Sequence, residues 1–253
     1  MKLKVSMIVA HRGASHDAPE NTLAAFLEAW RQGADAIEGD FRLTKDGRIV
    51  CMHDETTGRT AGADLVAAKS TLAQLRQLDV GSWKGGRWAG ERIPTIEEVL
   101  ATVPEGKKVF FEIKSGLEIL PPLKEAIGRS KVKPEQCVII AFDTGVIAEA
   151  KRRLPGTKTL WLTFYGRDPQ TGQWSPSLQQ VLATLQEANA DGLDTSAQPC
   201  VDRSFVEALR AKNLEIHVWT VDDLATASRF QGLGARSLTT NRPGWLREQL
   251  HAG

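Results

Sequence analysis

Short runs of apolar, β-favouring residues alternate along this chain with stretches whose apolar positions recur every three to four residues. The strand-like runs are Met7–His11, Ala36–Asp40, Val109–Lys114, Val138–Phe142, Thr159–Thr163, Gly192–Asp194, Glu215–Thr220 and Ser237–Thr240. Most are apolar nearly throughout, the pattern of strands covered on both faces. Amphipathic stretches lie between them: Leu23–Arg31, Ile96–Ala101, Leu123–Ile127, Val146–Arg153, Leu178–Ala188, Phe205–Ala211 and Leu224–Phe230. Trp245–Leu250 reads as a last helix, with Pro243 near its first turn. Eight strands with a helix after each predict an α/β fold of the (β/α)8 or TIM-barrel type, and 253 residues is about the size of one such barrel.

One segment breaks the rhythm. Phe41–Thr44 and Ile49–Met52 flank Lys45-Asp46-Gly47-Arg48, an Asp-Gly turn between two strand-like runs, which predicts a β-hairpin arm rising from the second barrel strand. From Asp54 to about Pro94 the chain is rich in Gly, Thr and Trp and is too long for an ordinary connection. Residues 54–94 are therefore expected to form an inserted cap over the barrel mouth, within a single domain spanning 1–253. Packing of the cap on the barrel is the expected role of Trp83 and Trp88, in preference to substrate contact. No repeat, low-complexity tract or linker divides the chain.

Composition narrows the class. With 42% hydrophobic and 25% charged residues the profile is that of a folded globular protein, which argues against disorder, collagen or a coiled coil. Lys and Arg total 32 against 31 Asp and Glu, so a formal net charge of +1 gives no electrostatic reason to expect nucleic acid or an anionic membrane as partner. The apolar run Met7–Ala10 is too short for a signal-peptide core or a membrane span, so a cytoplasmic location is expected. Cys51, Cys137 and Cys200 have neither metal nor redox spacing and are expected to be reduced thiols.

Residues two apart in a strand share a face. Glu38 and Asp40 hold that spacing at the end of the second strand, and Glu112 and Lys114 hold it at the end of the third. The C-terminal ends of barrel strands are where active sites are built. Three carboxylates converging there repel one another unless a cation joins them, and all-oxygen ligands suit one hard divalent ion, Mg²⁺ or Ca²⁺. The competing reading is a solvated rim in which these groups pair with nearby Lys and Arg. His11 ends the first strand, and His53-Asp54 ends the returning hairpin arm, so both imidazoles fall beside the expected cation, where they can divide acid and base work. Arg12 can hold a phosphate oxygen with its fork, and Gly13 either lets backbone approach closely or simply turns the chain. Asn21-Thr22 reads as a helix N-cap, while Glu20 before it either orients Arg12 or touches substrate. His16, His217 and His251 are read as structural.

These residues resemble the glycerophosphodiester phosphodiesterase family. The matching elements are His11-Arg12-Gly13, Pro19-Glu20-Asn21-Thr22, Glu38-x-Asp40, Thr44-Lys45-Asp46-Gly47, His53-Asp54, Glu112-x-Lys114 and Trp219-Thr220, in that family's order and spacing. The chain looks most like short, cytoplasmic, single-domain bacterial members. The resemblance implies a distorted barrel with an inserted cap, a divalent cation on Glu38, Asp40 and Glu112, and His11 and His53 as the acid/base pair. It also implies Arg12 and Lys114 as phosphate-binding groups and Trp219 as a pocket wall for the glycerol moiety. Two features depart from the family pattern. Gly39 and Phe41 stand in and after the Glu38-x-Asp40 pair, where the second position is more often Val, which should alter packing; polar His16-Asp17 precedes Pro19-Glu20, which leaves open an added head-group contact.

The expected reaction is cation-dependent cleavage of a small-molecule glycerophosphodiester to sn-glycerol 3-phosphate and an alcohol. Two other readings stand beside it. A lysophospholipase-D-like or sphingomyelinase-D-like enzyme needs a greasy groove for acyl chains, and the charged residues Lys84, Arg87, Glu91 and Arg92 of the cap supply none. A barrel that binds phosphodiesters without turnover is expected to lack a ligand or a histidine, and every such position is filled.

Overall fold

Residues 6–251 are described by a computed structural model, in which the expected strands close on one another. The strands are β1 (Met7–Ala10), β2 (Ala36–Leu43), β3 (Ile49–Cys51), β4 (Lys108–Ile113), β5 (Cys137–Ala141), β6 (Lys158–Thr163), β7 (Gly166–Arg167), β8 (Trp174–Ser175), β9 (Gly192–Ser196), β10 (Glu215–Trp219) and β11 (Ser237–Thr240). Eight of them form the parallel barrel in the order β1, β2, β4, β5, β6, β9, β10, β11, and β11 pairs back to β1. The helices are α1 (Leu23–Arg31), α2 (Gly58–Ala61), α3 (Leu72–Leu75), α4 (Ile96–Thr102), α5 (Leu120–Arg129), α6 (Thr144–Arg153), α7 (Leu178–Glu187), α8 (Arg203–Arg210), α9 (Leu224–Leu233) and α10 (Pro243–His251). Apart from the short α2 and α3, one follows each barrel strand, giving the (β/α)8 TIM barrel that the pattern predicted.

The runs read as continuously apolar because they have two faces to cover. One set of side chains, Val9, Ala36, Phe110, Val138, Ile140 and Leu160, fills the barrel interior. The alternate set, such as Ile8, Ile37 and Phe111, packs against the helices. Helix α1 shows how the outer layer is fixed: the Thr22 hydroxyl accepts from the Ala25 N–H at 3.2 Å, and Ala25, Phe26 and Ala29 are buried. Helix α5 starts earlier than the periodicity suggests, at Leu120. Pro121 and Pro122 sit in its first turn, where a missing N–H breaks no helical bond.

β2 runs unbroken to Leu43, so the first hairpin arm continues the barrel strand. β3 pairs back on it with Phe41 opposite Cys51 and Leu43 opposite Ile49. A second hairpin, β7–β8, stands in the β6–α7 connection and was not expected. Its paired stretches are two residues each, too short for any alternation to register, and the Arg167 guanidinium lies 5.9 Å from the Trp174 ring centre.

Between β3 and α4 the chain packs around its own cluster of Met52, Ala67, Leu75, Val80 and Ile93. Two side chains tie this segment to the β1–α1 loop: Lys84 Nζ donates to the Ser15 carbonyl at 2.8 Å, and Arg87 Nη2 to the Asp17 carbonyl at 2.8 Å. The Trp83 indole donates to the Val80 carbonyl within the same segment. All three cysteines are free, two of them buried. No helix among the described residues is long and apolar enough to cross a membrane.

Candidate active site

The parallel register of β2 and β4 sets Asp40 directly opposite Glu112 and Glu38 opposite Phe110. Residues of one parity therefore carry apolar side chains low in the barrel and carboxylates at its C-terminal end. Oxygens of Glu38, Asp40 and Glu112 all lie within 4.8 Å of one another, and all three residues are buried. Such a group is costly in the absence of a counter-charge. Burial, then the charges of Asp40 and Glu112, hold Glu38 well above the ordinary carboxylate range. Burial and the Asp40 charge push Glu112 up to about 7. Asp40 goes the other way: burial opposes its ionisation, but Lys114 and Arg12 hold it below the usual value. Lys114 Nζ lies 3.2 Å from Asp40 Oδ1 and also pairs with Glu112, while Arg12 Nε lies 3.2 Å from Asp40 Oδ2.

Arg12 is held from several sides. Its backbone N–H donates to Glu38 Oε2 at 2.8 Å, and its Nη1 donates to Glu20 Oε1 at 2.9 Å. Its backbone is left-handed (φ 55), as is that of Asn21 (φ 58), a conformation that non-glycine residues adopt chiefly where the surroundings impose it. Gly13 is required on two counts. Its φ is +80, and a Cβ there would stand 2.6 Å from the Ala25 carbonyl carbon, so the loop could not lie against α1 with any other residue.

The Asn21-Thr22 pair was expected to cap α1, and the structure divides it. Thr22 is the cap. The Asn21 Nδ2 donates to Asp40 Oδ2 at 2.8 Å, and its Oδ1 accepts from the Asp40 N–H at 3.2 Å and the Cys51 thiol at 3.1 Å. Its role is to fix the central carboxylate. Gly39 fits the expectation of a packing change, since a Cβ there would meet Cys51 Sγ at 3.0 Å and the Phe26 ring at 3.1 Å.

The two histidines have different partners. His53 Nδ1 donates to Asp54 Oδ1 at 2.7 Å. Partial burial favours the neutral form of Asp54, yet its bonds to Arg59 and His53 hold it down at about 2. Arg59 spans Asp54 (2.6 Å) and Glu20 (2.7 and 2.9 Å), linking α2 to the β1–α1 loop. His11 Nδ1 faces a neutral partner, Asn241 Oδ1, at 2.8 Å. The amide is oriented by Asp222, which accepts from Asn241 Nδ2 at 2.5 Å and from the Asn241 N–H at 2.8 Å. His11 therefore carries its proton on Nδ1 and presents a lone pair at Nε2. Desolvation, then the neighbouring Arg12 charge, lower its pKa.

His11, Arg12, Glu38, His53, Glu112 and Lys114 line one cavity of about 230 Å³, with Asp40 fully buried nearby. Trp219 closes another side together with Phe142 and Leu162. Glu20 lies in an adjoining small pocket beside Arg59, and His16, more than half exposed and bonded to Asp17, faces neither. Trp83 and Trp88 line neither. His217 is buried on the Phe110 ring and bonded to Ser237, as a structural histidine should be. Sequence reading missed Asn241, Asp222 and Asp194. Asn241 reaches His11 across 230 residues of chain and Asp222 acts on His11 only through Asn241, so no local spacing signals either. Asp194 carried the signal used for Glu38, an ionisable residue at the end of a barrel strand. Burial and the Glu112 charge push it up to about 8.

Comparison with known proteins points to one family. Residues 11–245 match the glycerophosphoryl diester phosphodiesterase family. A glycerophosphodiester phosphodiesterase of Caldanaerobacter subterraneus subsp. tengcongensis is 31% identical, the match covering 98% of this chain and 99% of that protein. Among solved structures, an Oleispira antarctica phosphodiesterase in complex with the product sn-glycerol-3-phosphate matches with a TM-score of 0.85 at 26% identity, over 98% of this chain and 97% of that one. A glycerophosphodiester phosphodiesterase from Thermotoga maritima matches with a TM-score of 0.75 at 26% identity, over 96% and 97%. With the family match running from the first site histidine to the last helix, the chain belongs to the glycerophosphoryl diester phosphodiesterase family.

Proposed function

We propose that this protein hydrolyses glycerophosphodiesters to sn-glycerol 3-phosphate and an alcohol, using one divalent cation and His11 and His53 as base and acid. The observation that carries the reading is the buried Glu38–Asp40–Glu112 group, with Glu38 Oε1 left without a hydrogen-bond partner, facing two histidines whose supports differ. An all-carboxylate donor set with a buried unpaired oxygen fits a hard cation, Mg²⁺ or Ca²⁺. When bound, that cation supplies charge neutralisation and Lewis acidity at the phosphate. The product bound to the Oleispira antarctica relative supports the substrate class.

The protein's own groups then divide the work. Arg12 and Lys114 pair with phosphate oxygens, and their attraction grows as charge builds on the phosphorus centre. Glu20 orients Arg12, since both its oxygens are already held by Arg12 and Arg59. His11 Nε2 takes the proton of the attacking oxygen, a water or the substrate's own glycerol 2-hydroxyl, as the new P–O bond forms; in the second case the cyclic phosphate so made is opened by water, with the two histidines exchanging roles. His53, oriented by its bond to Asp54, gives a proton to the departing alcohol oxygen as the old P–O bond breaks.

The test is release of glycerol 3-phosphate from glycerophosphocholine and glycerophosphoethanolamine with Mg²⁺ or Ca²⁺ and with chelator. Cation-dependent release from both is expected, and His11→Ala and His53→Ala should each lower the rate by roughly 10² to 10⁴. The assignment of acid and base is checked with a p-nitrophenyl phosphodiester, whose leaving group needs no proton. His53→Ala should lose little on it and His11→Ala should lose as much as before; equal losses would reject the division of roles.

A further inference from the structure

Residues two apart on β2 share a face, and two positions beyond Asp40 that face carries Arg42. No reaction step above uses it. Among the described residues, all of its hydrogen bonds go to main-chain carbonyls. Nε and Nη2, the donors on one edge of the guanidinium, both bond the His53 carbonyl oxygen, at 3.0 and 2.7 Å. Nη1 reaches the Lys114 carbonyl only at 3.5 Å, a weak contact. The charges of Glu55, Asp40, Asp54 and Glu112 all act on this cation, yet its donors are spent on a neutral group.

The point that Arg42 holds is where regular pairing ends. The β2–β3 ladder closes with Phe41 opposite Cys51, and the returning arm is fastened once more by the Met52 N–H on the Asp40 carbonyl at 2.8 Å. Past Met52 the chain leaves the sheet. Among the described residues, the only hydrogen bonds to the His53 main chain come from Arg42. Asp54 aims the imidazole, but a neighbour in sequence moves with His53 and does not fix where its Cα stands. Arg42 can do so, because it reaches across from the strand that carries Glu38 and Asp40. Two bonds from a charged fork to one oxygen are also stronger and more directional than a single neutral bond.

We propose that Arg42 is a positioning residue, setting the distance between His53 and the Glu38–Asp40 carboxylates through its grip on the His53 carbonyl. This rests on the reading above that His53 moves a proton in the reaction, and it holds whichever oxygen that proton serves.

The experiment is a double-mutant cycle. Arg42→Met keeps an unbranched stem and removes the fork. Misplacing a reacting group by about 1 Å can cost roughly 10²-fold, so with saturating Mg²⁺ or Ca²⁺ this variant should lower kcat on glycerophosphocholine by roughly ten- to a hundredfold and leave KM within about twofold. In the His53→Ala background the same change should cost no more than about twofold, because the group it positions is gone. On the p-nitrophenyl phosphodiester Arg42→Met should follow His53→Ala, losing little wherever that variant loses little. Arg42→Lys should restore part of kcat, since an ammonium can bond the carbonyl but cannot grip it with two donors of one rigid edge. Melting curves report on folding separately, and Arg42→Lys carries the same cycle if Arg42→Met does not fold.

Equal losses from Arg42→Met in the wild-type and His53→Ala backgrounds would overturn the proposal and assign Arg42 to the cation or the phosphate. A loss confined to KM would place it on the substrate, and wild-type kcat would leave it no role; either also overturns the proposal. None of these results touches the reading beneath it. A His53→Ala chain with wild-type kcat would instead remove that reading, and the proposal with it.

Discussion

Two asparagines do more for this site than their number suggests. Asn21 offers both ends of its amide to Asp40, side chain and backbone, from a left-handed loop position between β1 and α1. Partners that orient a cation-binding carboxylate typically matter by one to two orders of magnitude. Asn21→Ala should therefore weaken Mg²⁺ or Ca²⁺ binding by about 10- to 100-fold while leaving the barrel folded, as a cation titration would show. Affinity equal to wild type would mean that Asp40 is held by Arg12 and Lys114 alone. The position looked like a helix cap in the sequence because Asn-Thr before an apolar stretch carries the same signature whichever residue does the capping. Only the partner, 19 residues away on β2, distinguishes the two roles.

The barrel elements were legible for a simple reason. Each strand has two apolar faces to bury, so it appears as a dense run, and Glu38, Asp40, Glu112 and Lys114 stood out as charges at the ends of such runs. Asp194 ended a run as well, but its isolation from any second charge hid it. The β7–β8 hairpin stayed invisible because polar two-residue strands carry no periodicity. Helix α2 is a further case, four residues long with none of them fully buried, so it has no apolar face for a pattern to reveal. What holds it is Arg59, through Glu20 and Asp54, and that single side chain couples it to both Arg12 and His53. Arg59→Ala should lower kcat by roughly three- to tenfold with little change in melting temperature, since a half-exposed ion pair adds little to folding. Arg59→Lys should restore only part of the loss, because one ammonium cannot span two carboxylates as the fork does. A fall in stability without a fall in kcat would show that the residue serves the segment and not the histidine.

At the scale of the whole molecule, a stable barrel carries a group of carboxylates that folding alone does not favour. Glu112 rises from 4.5 to about 7 on folding, so at 1.36 kcal/mol per unit its ionisation in the folded chain costs roughly 3 kcal/mol. The sign follows from the direction of the shift. A carboxyl with a raised folded pKa contributes stability that is fully present below its unfolded value near 4.5, and that contribution is lost as pH climbs through about 7. Glu38 shifts in the same direction, as does Asp194, pushed up to about 8. In chelator the protein should therefore melt at a lower temperature at pH 7.5 than at pH 5.5. A cation reverses this at neutral pH, because it binds the ionised carboxylates of the folded chain and has no comparable site on the unfolded one. Its stabilising effect should shrink towards pH 5, where protons compete for Glu112 and Glu38. Glu112→Gln removes one of the two raised carboxyls among the expected ligands: in chelator at pH 7.5 this variant should melt above the wild type, and the cation should raise its melting temperature far less. Melting curves at the two pH values, with and without cation, check all of this together. A chelated wild type as stable at pH 7.5 as at pH 5.5 would mean that Arg12 and Lys114 already neutralise the cluster, leaving no electrostatic demand for a cation in this barrel.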